Sequence, residues 1–90
     1  MNINIRCKII LTEEGAKYLN NFHMDKIIKF KYIFDTVGAS NSEIQKVFPV
    51  NYKRGDVLEL PLWEIIGKFG RYFEMYTEAA FLNNEIEFLE

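Results

Sequence analysis

The chain has 90 residues, enough for one hydrophobic core, so we predict a single domain over residues 1–90. Hydrophobic residues make up 49% and charged residues 27% of the composition, which excludes an intrinsically disordered protein. A single cysteine excludes a domain held by intrachain disulfides, and no apolar run reaches the ~18 residues of a membrane span. Because the N-terminus also lacks a signal-peptide pattern, these features predict a cytoplasmic protein.

The net charge of −2 conceals an uneven distribution along the chain. Residues 1–54 carry nine basic and five acidic side chains, a net charge of +4, whereas residues 55–90 carry two basic and eight acidic side chains, a net charge of −6. We expect the two halves to pair with each other in the folded protein. The alternative is a surface with opposed basic and acidic poles, which would steer a charged partner.

The first two predicted elements are a strand and a helix. Residues 3–11 alternate between apolar and polar side chains, which is the pattern of a half-buried strand. This pattern places Cys7 on the inner face, where a thiol behaves as a small apolar group. Thr12 is a suitable N-cap for a helix over residues 13–22, which has two glutamates in its first turn.

The middle of the chain predicts a central strand, a second helix and a short strand. Residues 26–34, with the sequence KIIKFKYIF, alternate as a strand does, and the flanking helices would place this strand in the middle of the sheet. Residues 41–48 carry an apolar stripe with helical spacing, and a capping box can begin at Ser40 or at Ser42. After a turn, residues 56–60 predict the short strand.

A third helix is predicted over residues 61–69, with Gly70 as its C-terminal glycine. Its apolar stripe has the spacing i, i+3, i+4 and i+7 and consists of Leu62, Ile65, Ile66 and Phe69. Trp63 lies beside this stripe, so we expect it to be mostly buried at the boundary of the core. The alternative is that Trp63 is a binding anchor held out for a partner.

Two further strands complete the predicted fold, over residues 71–77 and 84–89, and the last strand has Phe88 facing inward. We expect the first and last strands to be neighbours, because their outward charges, such as Lys8 and Glu87, are complementary. The predicted order is therefore β-α-β-α-β-α-β-β. It corresponds to an α+β fold with a mostly antiparallel sheet of four or five strands and two or three short helices.

The sequence shows no catalytic, metal-binding or cofactor-binding constellation. The one histidine, His23, lies in a polar stretch after the first helix and is predicted to be a solvated loop residue. Cys7 is predicted on the core face, where a thiol is unreactive. Neither a metal-ligand spacing nor a glycine-rich phosphate loop occurs. We therefore predict a protein that is not an enzyme and that binds neither a metal nor a cofactor.

Three stretches, ILTEEGAKYL (10–19), LELPLWEIIGKFG (58–70) and NNEIEFLE (83–90), resemble in this order a set of small proteins from phages and prophages of Gram-positive bacteria. Those proteins combine an opening strand and L-T-x-x-G helix, an L-W-E-type helix ending in F-G, and a short acidic closing strand. The resemblance covers about a third of the chain and implies a phage accessory protein without a known active site. Small acidic phage proteins often inhibit host defences, and anti-CRISPR proteins that occlude a nuclease are among them.

On this basis we expect a non-enzymatic interaction protein that acts in the host cytoplasm by binding and inhibiting a host protein, with a CRISPR nuclease as a candidate target. The acidic half of the chain would face a basic nucleic-acid channel. The candidate protein-binding residues are Glu74, Glu78, Glu85, Glu87 and Glu90.

The alternative is a small nucleic-acid-binding protein that uses a basic strand and turn surface. In that case the binding residues are Lys26, Lys29, Lys31, Lys53 and Arg54. The two interpretations make opposite electrostatic demands, because nucleic-acid binding requires a basic surface and weakens steeply with salt.

Overall fold

The computed structural model describes residues 2–89, which form four α-helices and one three-stranded antiparallel sheet with the strand order β2-β1-β3. In chain order the elements are β1 (Arg6–Ile10), α1 (Glu13–Lys29), α2 (Lys31–Val37), α3 (Asn41–Val47), β2 (Val57–Pro61), α4 (Leu62–Met75), a 3-10 turn (Leu82–Asn84) and β3 (Glu87–Phe88). The predicted α+β class is confirmed, whereas the predicted number of strands is too high and that of helices too low. No helix in this part of the chain is both long and apolar enough to cross a membrane.

β1 forms the centre of the sheet. It pairs with β2 along its whole length and with β3 at Cys7 and Lys8, which lie opposite Phe88 and Glu87. The ammonium of Lys8 lies 3.6 Å from the Glu87 carboxylate, so the predicted neighbourhood of the first and last strands is confirmed. Cys7 is fully buried, as predicted. Phe88 lies opposite Cys7 and so shares the inner face of the sheet, as expected, but it is 45% exposed because β3 is a two-residue strand at the sheet edge.

α1 begins where the sequence predicts. The Thr12 hydroxyl accepts a hydrogen bond from the backbone N–H of Gly15 (3.1 Å) and donates one to the carbonyl oxygen of Ala79 (2.6 Å). This single side chain therefore caps the helix and ties it to the C-terminal segment. A Cβ at Gly15 would overlap the carbonyl of Ala80, so the glycine allows α1 to lie directly against that backbone.

The predicted central strand over residues 26–34 is wrong, because these residues form the end of α1 and the start of α2. Ile27, Phe30 and Phe34 have the helical spacing i, i+3, i+7 as well as lying within an alternating run. No glycine or proline interrupts residues 16–37, and the lysines in the last turn of α1 favour a helix C-terminus. The central position in the sheet belongs to β1 instead.

α2 and α3 lie outside the core, and neither contains a buried residue. The capping box begins at Ser40, as one of the two alternatives predicted. The Ser40 hydroxyl accepts from the backbone N–H of Glu43, and the Glu43 carboxylate accepts from the backbone N–H of Ser40. The predicted second helix is thereby confirmed, and Phe48 at its end packs edge-on against aromatic rings of α1 and α2.

α4 is longer than predicted. Gly70 does not end the helix, and the predicted strand over residues 71–77 is wrong because the helix continues to Met75. The residues buried on this helix are Ile65, Phe69 and Tyr72. Tyr72 extends the apolar stripe by one turn beyond Phe69, which accounts for the continuation of the helix through Gly70. Pro61, expected as the first helical residue, is the N-cap that joins β2 to α4.

The core lies between the inner face of the sheet and the helices α1 and α4, and the segment before the 3-10 turn closes it. Phe81 of that segment packs edge-on against Phe69, with a ring-centroid distance of 4.8 Å. The buried apolar residues are Cys7, Ile9, Leu11, Ala16, Leu19, Ile65, Phe69, Tyr72, Ala80 and Phe81. The other face of the sheet is exposed to solvent. The outward faces of α1 and α4 form much of the remaining surface.

Candidate functional site

The face of α4 that points away from the core carries large apolar side chains. Trp63, Ile66 and Phe73 are exposed to 52%, 56% and 52%, respectively. At 100° per residue, these side chains and the two glycines of the helix fall within an arc of roughly 120° outside the buried stripe. Phe73 lies at the edge of this arc, and its ring packs edge-on against the buried Phe81 at a centroid distance of 5.7 Å. We call this surface, made of Trp63, Ile66, Gly67, Gly70 and Phe73, the α4 outer face.

The two glycines are not explained by the packing of the domain. Neither Gly67 nor Gly70 has a positive φ, and a Cβ at either position would meet no atom within 4 Å. A glycine inside a helix is less favourable than alanine by about 1 kcal/mol. Alanine would therefore fit at both positions, so neither close packing nor backbone conformation requires a glycine there. The effect of the two glycines is to lay open the backbone of α4 between the flanking large side chains.

The prediction that Trp63 is mostly buried is wrong, and Ile66 does not belong to the core stripe either. Ile65, Phe69 and Tyr72 have the spacing i, i+4, i+7, and packing along that line turns Trp63 and Ile66 toward solvent. The backbone of Trp63 is nevertheless fixed, because its N–H donates to the carbonyl of Ile3 at 3.0 Å. The sequence signal that was missed is Tyr72, three residues after Phe69.

The acidic candidates occupy several places. Glu74 belongs to α4 and falls within the arc of the outer face, whereas Glu78 follows the helix and offers its backbone carbonyl to the Tyr72 hydroxyl (2.8 Å). Glu85 and Glu87 line one shallow depression on the open face of the sheet together with Lys8. These four glutamates are all exposed, and the fifth candidate, Glu90, lies outside the residues that the structure describes.

The basic candidates also separate into groups, and the three lysines expected on a strand lie on the helices α1 and α2 instead. Lys26 and Lys29 lie in the last turn of α1 and line a groove of about 390 Å³ between α1 and α4. Lys31 begins α2 and pairs with Asp35 of the same helix at 3.2 Å. The other two candidates, Lys53 and Arg54, line a separate depression beside the N-terminal half of α1.

A buried polar network lies at the centre of the molecule, around His23. This residue is only 2% exposed, so its predicted position in a solvated loop is wrong; it belongs to α1. Its Nδ1 lies 2.6 Å from the carbonyl oxygen of Pro49, and its Nε2 lies 2.6 Å from the ammonium of Lys68. A carbonyl only accepts and an ammonium only donates, so the imidazole is neutral with its proton on Nδ1.

The charges of this network follow from its burial. Burial lowers the pKa of His23 below its ordinary 6.5, and the nearby charge of Lys68 acts in the same direction. Burial also lowers the pKa of Lys68, while the carboxylate of Glu64, 3.8 Å away, opposes that shift. Each polar group therefore has a partner, and the aromatic rings of Phe48 and Tyr52 pack around the imidazole. These interactions are those of a structural network that joins α1, α4 and the segment after α3.

The two oppositely charged halves of the chain are joined by few ion pairs. Of the three ion pairs formed by residues 2–89, Lys8–Glu87 alone connects the halves. The expectation that the halves neutralise each other by direct pairing is therefore not supported by the contacts. Most of the acidic and basic side chains are left facing solvent.

Comparisons of the chain with protein-family models, with curated proteins and with solved structures find no match.

Proposed function

We propose that the chain is a non-enzymatic interaction protein that binds a host protein through the α4 outer face. The observation that supports this proposal is the exposure of Trp63, Ile66 and Phe73 around an open glycine backbone. Tryptophan is enriched among residues that dominate binding energies, and such residues lie in surfaces that a partner desolvates. Gly67 and Gly70 would let an element of the partner approach the α4 backbone closely.

The charges around this surface indicate what charge the contact surface of the partner should carry. Glu74 is the one acidic candidate that lies within the arc of the α4 outer face, whereas Glu85 and Glu87 line a separate depression. The matching surface would be apolar at its centre, with a basic side chain opposite Glu74 at its polar rim. A nuclease carries basic side chains along its nucleic-acid channel, because they neutralise phosphate charges. Together with the resemblance to phage accessory proteins, this chemistry leads us to propose inhibition of a host nuclease, by occlusion.

The proposal is tested by substituting Trp63 with alanine. The wild-type chain is immobilised in a host lysate, the captured protein is purified, and its affinity for wild type and variants is measured by calorimetry. We expect Trp63→Ala to weaken binding by at least about 30-fold, the range of an interface hot spot. The matched control is Tyr32→Ala, which removes an aromatic side chain that is 81% exposed on α2 and should leave the affinity unchanged.

Two further measurements decide whether the effect is one of binding. The native emission of Trp63, the one tryptophan of the chain, should be red-shifted, close to that of the unfolded protein. The Trp63→Ala variant should melt within a few degrees of wild type, because about half of the side chain is exposed before substitution. Blue-shifted emission, a collapse of the melting temperature, or unchanged affinity of the variant would each contradict the proposal.

A further inference from the structure

The groove between the C-terminal parts of α1 and α4 has a basic lining. Lys26 and Lys29 contribute from α1 and Arg71 from α4, and Asp25 is the one acidic residue that lines it. None of these three basic side chains forms an ion pair with any of residues 2–89. Three positive charges thus converge on one groove in a chain whose net charge is negative.

The two lysines of the groove lie close to aromatic rings and form no ion pair with residues 2–89. The ammonium of Lys26 lies 5.1 Å from the ring centroid of Phe22, and that of Lys29 lies 5.8 Å from the ring centroid of Phe30. Arg71 is close enough to Tyr18 to oppose the rise in the pKa of this phenol that burial causes. Contact with a ring orients an ammonium without neutralising it, so the charges remain available to an anion.

The same groove offers an aromatic platform. Tyr76 stacks on Tyr72 with a centroid distance of 4.7 Å and an interplanar angle of 18°, and Tyr18 packs edge-on against Tyr76. Tyr76 is about half exposed, so part of its ring is accessible to a ligand. A stacked and buttressed tyrosine beside cationic side chains is the arrangement on which proteins place nucleobases.

From this geometry we infer that the α1/α4 groove binds a nucleotide, with the phosphate at Lys26, Lys29 and Arg71 and the base stacked on Tyr76. The shared chemistry is an aromatic base joined to a phosphate, supplied by a free nucleotide or by a single strand. The volume of about 390 Å³ lies within the range of small-ligand sites. A duplex is disfavoured, because its bases are already stacked and its phosphates would meet the acidic remainder of the surface.

The test is a titration of the ¹⁵N-labelled chain at low salt, followed by amide shifts and by calorimetry. The probes are ATP, a thymidine oligonucleotide of about ten residues, inorganic phosphate and a glutamate peptide of similar length. We expect ATP and the oligonucleotide to shift residues of the groove and phosphate alone to bind much more weakly, because base stacking contributes to affinity. Tighter binding of the oligonucleotide assigns the groove to single strands, and tighter binding of ATP assigns it to free nucleotides.

Variants that remove the same charge inside and outside the groove distinguish binding in the groove from non-specific electrostatic attraction. Lys26→Gln with Arg71→Gln should weaken nucleotide binding by about tenfold or more, since two phosphate contacts are lost. The control, Lys53→Gln with Arg54→Gln, removes the same charge outside the groove and should have less than about a threefold effect. All four side chains are partly or fully exposed, and the single Arg71→Gln variant serves if the double variant is not folded. Equal effects of the two pairs, equal affinity for phosphate and ATP, or equally tight peptide binding would overturn the assignment.

Discussion

The imidazole of His23 is neutral because its two hydrogen-bond partners leave it no other state. Pro49 accepts the Nδ1 proton, and Lys68 donates to Nε2, so protonation of Nε2 would set two positive charges against each other in the core. Glu64 pairs with Lys68 and supplies the negative charge nearest to the network. This arrangement makes the stability of the fold sensitive to pH in the range where histidine titrates.

We expect acidification from about pH 7 to about pH 5 to destabilise the protein through His23. Its pKa is lower in the folded than in the unfolded chain, so below pH 6.5 the unfolded chain takes up the proton more readily. The stabilisation is therefore complete above pH 6.5 and is lost as the pH falls through the folded pKa. Urea midpoints should decline over this range in wild type and decline less in His23→Asn, which keeps a donor for Pro49 but does not titrate. Equal declines in both proteins would contradict the role of His23.

At the scale of the elements, helix starts with a local capping signal could be predicted from the sequence. The structure of a segment that fits both a helical and a strand pattern could not. The Thr12 cap and the Ser40 capping box were predictable because each depends on residues within one turn. Residues 26–34 satisfy an alternating and a helical pattern at once, so the choice depends on what they pack against. The exposure of Trp63 was missed because the helix was ended at Gly70, which left Tyr72 out of the apolar stripe that sets the rotation of the helix.

The glycines of α1 and α4 predict opposite responses to the same substitution. Gly15→Ala should destabilise the fold by about 1–3 kcal/mol, because its Cβ would overlap the backbone carbonyl of Ala80 and outweigh the gain in helix propensity. Gly67→Ala, which meets open space, should stabilise it by up to about 1 kcal/mol. Denaturant unfolding of both variants measures these changes. If α4 is a binding surface, Gly67→Ala should also weaken binding of the partner, so that stability and affinity change in opposite directions.

At the scale of the whole molecule, the sequence predicted that the first and last strands are neighbours, but neither the centre of the sheet nor the grouping of the candidate sites. The adjacency of β1 and β3 followed from their alternation and complementary charges, and the pairing of Lys8 with Glu87 confirms it. The α1/α4 groove joins Lys26 to Arg71, which lie far apart in the sequence. Such a convergence is set by the packing of two helices and has no local sequence signal.

Stability is distributed unevenly through the domain, and this predicts two levels of hydrogen exchange. The buried residues come from β1, α1, α4 and the segment at Ala80 and Phe81, whereas α2 and α3 contribute none. The two short helices connect to the core through few contacts, among them the Phe48 ring against His23 and the Pro49 carbonyl. A helix of seven residues does not persist in water without packing.

We therefore expect α2 and α3 to open while the remainder of the domain stays folded. Their amide protons should exchange with opening free energies at least about 2 kcal/mol below that of Ile9 in the central strand, and with little dependence on added denaturant. Phe48→Ala should lower their protection further and leave that of Ile9 much less affected, whereas Val47→Ala, at an exposed neighbouring position, should lower neither, because alanine is the better helix former. Native-state exchange followed by NMR measures all of these amides at once. A single opening free energy shared by α2, α3 and β1 would show instead that the short helices unfold only with the core.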